Sequence, residues 1–218
     1  GVALGMAVQA VHEAALAEFG RGLSSLAGDA DFQVAGPRGG FDESLYSILA
    51  GRPEVAEASP IVELEVRPAG RDEALQLLGV DVFALARVTP ALLPRPGEGA
   101  GRLAFLADDR IFLSRAAQSA LALGPGDDID LQTGTRSTTL TIAGDIPGAA
   151  DNSRLAVMDI AAVQSRFART GRLTRIDLKL APGVAPAAAR TALQAILPAG
   201  VLIEAPAAAA GQAANLSR

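Results

Sequence analysis

The chain has 218 residues, half of them apolar and only 4% aromatic, with a formal charge of −5 and no cysteine. That length gives one large domain or two small ones with room for a buried core. The missing cysteines exclude disulfides, thiol nucleophiles and thiolate metal sites, the single histidine (His12) excludes zinc sites built on two or three histidines, and the acidic balance argues against nucleic acid as a partner.

Residues 1–27 read as one helix, because Val8, Val11, Leu16, Phe19, Leu23 and Leu26 recur at helical spacing. At 1.5 Å per residue it would reach about 40 Å. Its apolar start, roughly eleven residues, is too short to span a bilayer, which takes about twenty. It reads as the end of a membrane helix rising into a stalk, or as an ordinary buried first helix. A short strand over 31–36 follows, then a turn at Gly36-Pro37-Arg38-Gly39-Gly40. Phe41, Leu45, Ile48 and Leu49 mark an amphipathic helix closed by Gly51 and Pro53. Val62, Leu64 and Val66 alternate with Glu63, Glu65 and Arg67 as in a half-buried strand.

The middle, 72–150, has another texture. Leu75 to Leu78 lead into Gly79-Val80-Asp81, 87–101 is a long loop rich in proline and glycine, and Ser114 to Leu123 is a short helix. Ile129 and Leu131 are placed to pair with Leu140 and Ile142 across a turn at Gly134. After 150 the earlier pattern returns: a strand at 154–158, a helix N-capped by Asp159, a strand at 175–180, a helix from Pro186 to Leu197 and a last strand at 201–204. The expected fold is α+β. Two β-α-β units from both ends of the chain (28–71 and 151–206) make one lobe, 72–150 inserts a mainly β lobe, and 207–218 runs on without strand signals.

The residues offer little for catalysis. No GxSxG occurs, and a Ser-His-Asp triad would have to use His12 beside the apolar run. Carboxylate pairs occur at Asp108-Asp109, at Asp127-Asp128 with Asp130, and at Glu63 with Glu65, but the glycine and distal glutamate of a calcium loop are missing. The glycines at 36–40 lack a GxGxxG or a Walker lysine and read as a tight turn. No catalytic, cofactor-binding or metal-binding residue is assigned. The candidate partner or substrate surface is loop 87–101, where Leu92, Leu93 and Pro94 put apolar side chains on a stiff segment. The other reading is that both leucines fold back onto the core.

Several stretches together resemble a known family. They are Gly39-Gly40-Phe41-Asp42-Glu43 with Val55 to Pro60, Leu78-Gly79-Val80-Asp81, Gly124-Pro125-Gly126-Asp127, Gly171 to Leu178, and the terminal Asn215-Leu216-Ser217-Arg218. In this order they are similar to the MacB-like periplasmic core domain of FtsX/MacB-type ABC transporter permeases, in particular the first of two such domains in long permeases. The resemblance implies a porter-like lobe with a sabre-like insertion, anchored in a bacterial inner membrane with this domain outside the cytoplasm. It implies no enzymatic role and no cofactor here, ATP being used by a separate cytoplasmic ATP-binding subunit. That subunit would drive motion transmitted through the stalk, with a lipid, lipoprotein or peptide substrate or a periplasmic protein as the further partner. A non-transporting scaffold that recruits or activates a partner protein is the alternative, and a soluble periplasmic enzyme the third reading. The resemblance also predicts that Gly1 and Arg218 lie on the same side of the fold.

Overall fold

The computed structural model describes residues 30–206. The expected stalk helix with His12 and the tail 207–218 lie outside the described residues. In chain order the elements are β1 (Phe32–Ala35), β2 (Phe41–Asp42), α1 (Ser44–Ala50), β3 (Val55–Pro68), β4 (Leu75–Val80), α2 (Val82–Val88), β5 (Arg95–Pro96), β6 (Arg110–Leu113), α3 (Arg115–Leu121), β7 (Asp128–Thr133), β8 (Arg136–Asp145), β9 (Leu155–Asp159), α4 (Ile160–Arg166), β10 (Arg172–Leu173), β11 (Arg175–Leu180), α5 (Pro186–Gln194) and β12 (Leu202–Glu204), with 3-10 turns at Pro90–Leu92 and Ala104–Leu106.

Ten strands form one mixed sheet in the order β12-β1-β11-β3-β4-β9-β6-β8-β5, with β7 bridging β3 and β8. The first four strands of that path come from β1-α1-β3 and β11-α5-β12, interlocked as a pair of split β-α-β units. The boundary expected at 72 and 150 is not a break in this sheet. Pairings β3–β4, β4–β9, β9–β6 and β3–β7 all cross it.

The strands alternate their side chains between two apolar layers. On one face Leu75, Leu77, Ile176 and Leu178 meet Leu45 and Leu49 of α1, Leu121 of α3, Val163 of α4 and Leu193 of α5. On the other, Ile61, Leu78, Val80, Phe112 and Val157 meet Leu85 of α2, Leu92 and Ala104. Buried on both faces, β4 reads as a continuous apolar run broken only by Gln76 and Gly79. Gly79 is where the backbone of β4 passes closest to α4, and a Cβ there would stand 2.8 Å from Cβ of Val163.

Caps set the helix starts. Asp81 accepts from the backbone N–H groups of Phe83 and Ala84, Ser114 from Ala117, and Asp159 from Ala161 and Ala162. The helix read from Phe41 begins instead at Ser44. Phe41 and Asp42 pair with Leu173 and Arg172 as a strand, and Asp42 Oδ1 accepts from Ser44 N at 2.9 Å. The strand read around 62–66 starts at Val55. It pairs with β11 over 55–61 and with β4 only from Ile61 onward, so Pro60 sits beside an edge with no partner strand, where a missing N–H breaks no ladder bond. Across the β7–β8 hairpin Ile129 opposes Leu140 as expected, whereas Leu131 opposes Thr138 rather than Ile142. The helix expected to reach Leu197 stops at Gln194.

The C-cap of α3 is Ala122, at φ 50 and ψ 41, in the left-handed region where a Cβ is strained. Ala122→Gly is expected to stabilise the fold by about 1 kcal/mol, read as a rise in the urea midpoint with an unchanged m-value.

β12 lies antiparallel to β1 with Gln33 opposite Glu204, so the start of β1 is beside the end of β12. The ends of the described fold are therefore neighbours at one edge of the sheet. Gly1 and Arg218 themselves lie outside the described residues.

Candidate functional site

The long loop proposed as a partner surface is largely folded onto the molecule. Its first two residues complete α2, Pro90–Leu92 is a 3-10 turn, and Arg95–Pro96 is the edge strand β5. Leu92 is 2% exposed and belongs to the second core layer. Leu93 packs against that layer half-buried, and Pro94 is also half-buried. The Leu92 side chain is thus core, because the turn opened by Pro90 packs against the end of α2 and places Leu92 in the layer with Leu85.

Exposed apolar groups flank this loop instead. Phe83 on α2 is 59% exposed, and its ring meets Phe105 edge-on with centroids 6.4 Å apart. Leu103 and Leu106, on either side of Phe105 in the second 3-10 turn, are 67% and 45% exposed. Asp81 caps α2 and so fixes the first turn on which Phe83 stands, while Ala84, Leu85 and Val88 hold the opposite stripe against the sheet. Arg87 at the far end of the helix donates to Glu57 of β3 at 2.7 Å. From the sequence no element is assigned to 82–86 and the long loop starts at 87, so α2 is absent from that reading. The available signal was Asp81 followed by an apolar run, with two of only seven phenylalanines at 83 and 105.

The carboxylate pairs have local partners. Asp127 accepts from Gly124 N at 2.8 Å, which closes a turn, and Asp128 accepts from Thr141 Oγ1 at 2.8 Å. Asp130 accepts from Thr139 Oγ1. Asp108 pairs with Arg166 at 3.0 Å, Asp109 with Arg110 at 3.4 Å and Glu65 with Arg67 at 3.3 Å. Among the described residues no three His, Cys, Asp or Glu side chains are grouped to hold a metal ion. The 36–40 segment is a tight turn, with Gly40 at φ 72 donating to the carbonyl of Pro37 at 2.7 Å.

Glu63 belongs to a buried polar stripe on the α2 face of the sheet. Arg175 Nη1 lies 3.1 Å from Glu63 Oε2 and its Nε lies 2.9 Å from Asp177 Oδ1. The second contact is an ion pair without hydrogen-bond alignment, while Nη2 donates to Asp177 Oδ2 at 3.3 Å. Gln76 Nε2 donates to Glu63. Asp177 is 1% exposed. Burial holds its carboxyl above the usual carboxylate range, with Arg175 pulling the other way. Burial alone would lower the guanidinium of Arg175, but Asp177 and Glu63 outweigh it and hold it above its ordinary value.

Comparison with known proteins follows the same lines. Residues 1–196 match the family described as the MacB-like periplasmic core domain. The chain is 31% identical over 177 residues to an uncharacterized ABC transporter permease protein of Mycobacterium tuberculosis, covering 78% of this chain and 20% of that protein. The chain thus spans about a fifth of the length of this curated relative. In structure it is similar to the periplasmic region of MacB from Actinobacillus actinomycetemcomitans, with a TM-score of 0.59 and 13% identity over 88% of this chain and 96% of that one. It is also similar to the extracellular domain of the noncanonic ABC-type transporter YknZ from Gram-positive bacteria, with a TM-score of 0.58 and 11% identity over 81% of this chain and all of that one. At such identities these two likenesses concern the fold. No helix among the described residues is long and apolar enough to cross a membrane.

Proposed function

The chain belongs to the MacB-like periplasmic core domain family, and on that premise we propose that it works as the extracytoplasmic domain of an ABC transporter permease in a bacterial inner membrane. It passes motion driven by ATP in a separate cytoplasmic subunit to a partner outside the cytoplasm. The domain itself takes no cofactor and performs no catalysis in this reading. What carries it to the partner is the exposed Phe83, Leu103 and Leu106, with Phe105 half-buried against the core beneath the Phe83 ring. Aromatic and leucine side chains standing in solvent on a packed scaffold are suited to an apolar contact, and they sit on the layer that α2 and the second 3-10 turn lay across one sheet face. A continuous ten-stranded sheet supports rigid-body movement of that surface. The contact is made to the substrate itself, a lipid, lipoprotein or peptide.

The docking-scaffold reading draws on the same patch, because these side chains stand out from the surface as a protein contact requires. A single cysteine in place of Phe83, carrying an environment-sensitive dye in the full permease with its ATPase after any other cysteines have been replaced, separates the two. Under the transport reading the emission changes between nucleotide-free and ATP-bound states. An unchanged spectrum across nucleotide states, in a permease whose ATPase remains active, would sink motion transmission and leave the scaffold. In the same complex Phe83→Asp is expected to lower substrate export about tenfold, the loss of roughly one anchor side chain, while ATP hydrolysis stays unchanged.

A further inference from the structure

The tip of the β7–β8 hairpin and the end of α4 enclose a cleft of about 310 Å³. Three arginines line it: Arg136 from the hairpin, and Arg166 and Arg169 from the helix end, with Thr133 and Thr138 beside them. The hairpin turns through Gly134 at φ 61 between Thr133 and Arg136, which oppose each other in the ladder. On the other wall the chain leaves α4 through Ala168 at φ 55, and Arg169 N then bonds back to the carbonyl of Gln164 at 2.8 Å. This left-handed turn folds Arg169 onto the same side as Arg166.

The charge there is poorly balanced. Arg166 pairs with Asp108, whose side chain is 78% exposed. Among the described residues no carboxylate lies within ion-pair distance of Arg136 or Arg169. Arg166 Nε, Arg169 Nε and Thr133 Oγ1 are shielded from solvent and have no hydrogen-bond partner among the described residues. Buried donors of this kind are nearly always satisfied in a folded protein. In a chain of net charge −5, a local excess of guanidinium groups around unpaired donors is a local design rather than a general basicity.

We propose that this cleft binds a phosphate group, either the headgroup of an anionic phospholipid or a soluble phosphate ester. A carboxylate has two acceptor oxygens, too few for three guanidinium forks and the neighbouring hydroxyls. A phosphate presents three or more around a tetrahedral centre and accepts bidentate pairs from several arginines at once. The site stands on this geometry and is independent of the transport reading.

The test titrates the chain with inorganic phosphate and glycerol phosphate, following the arginine Nε–H resonances. It also floats the chain with vesicles of phosphatidylglycerol in phosphatidylcholine and of phosphatidylcholine alone. Arg136→Ala and Arg169→Ala, whose side chains hold no partner among the described residues, are each expected to weaken binding about tenfold with an unchanged unfolding midpoint. Arg169→Lys recovers only part of it. Phosphate and glycerol phosphate binding without flotation identifies a soluble ester as the ligand. Flotation restricted to phosphatidylglycerol and lost in both variants identifies the lipid headgroup. Silence of the Nε–H resonances together with no flotation overturns the proposal. So does binding that survives both variants, or tighter binding of a polyglutamate peptide than of any phosphate probe.

Discussion

Asp177→Ala is expected to destabilise the fold by about 3 kcal/mol, the low end for removing one partner of a buried ion pair. Asp177 is 1% exposed and the Arg175 side chain 12%, so the substitution leaves a largely desolvated guanidinium with Glu63 alone. That loss does not measure a net contribution of the pair, since its mutual attraction largely offsets the penalty of taking both charges out of water. The double change Arg175→Met with Asp177→Leu is therefore expected to recover most of the lost stability in urea unfolding. A double variant as unstable as Asp177→Ala would show that the charges themselves hold the sheet together. Asp177→Asn also tests the sign of the pH dependence. A carboxyl raised on folding stabilises the folded state below its ordinary value of 3.8, and this stabilisation is lost as pH rises through the raised value. Relative to Asp177→Asn, the native chain should lose stability on going upward from about pH 4.

Gly144→Val is the second large effect. Gly144 opposes Pro96 where β5 closes the edge of the sheet. A Cβ there would overlap the carbonyl oxygen of Arg95 and stand 2.8 Å from Gly97 N, which itself donates to Ala143 O. The obstruction is backbone on both sides, so no rotamer change relieves it. The expected cost is about 3 kcal/mol, the upper part of the range for overpacking. It falls on the segment through Leu92 and Leu93 that covers the second core layer. Limited proteolysis should cut that segment first, and amide exchange there should rise before the rest of the sheet responds. Gly124→Ala, where a Cβ meets nothing within 4 Å, serves as the control and should leave both readouts unchanged.

The legible part of the fold was the part governed by local pattern. Asp159 before Ile160 announced α4, Ser114 announced α3, Pro186 opened α5, and the alternation at 175–180 gave β11. What the residues did not carry was long-range pairing. Nothing near Val55 shows that it lies beside Leu180 from the far end of the chain, nor that the strand read at 62–66 extends back through Pro60. Nor does local pattern show that β9 lies between β4 and β6, so a stretch with its own texture became part of a shared sheet. The apolar side chains singled out in the sequence and the ones the fold exposes are neighbours but not the same. Proline content marked 87–101, whereas burial of Leu92 and exposure of Phe83 depend on which face of α2 and of the turn after it meets the sheet. The arginine cleft was illegible for the same reason, since Arg136 and Arg169 are 33 positions apart (169 − 136) and meet only through a hairpin tip and a left-handed helix end.

The pairing of Gln33 with Glu204 has a consequence for how such a unit can be carried. Neighbouring strands lie about 4.8 Å apart, so a chain interrupted by the whole of β1 to β12 resumes almost where it left off. A host protein can accept the unit within a tight connection without spreading the flanking segments, and the loop-closure entropy it must meet is close to that of a hairpin turn. The fold is in this sense a graft: its sequence can diverge, or be exchanged for another of the same topology, while the geometry at the point of attachment stays fixed.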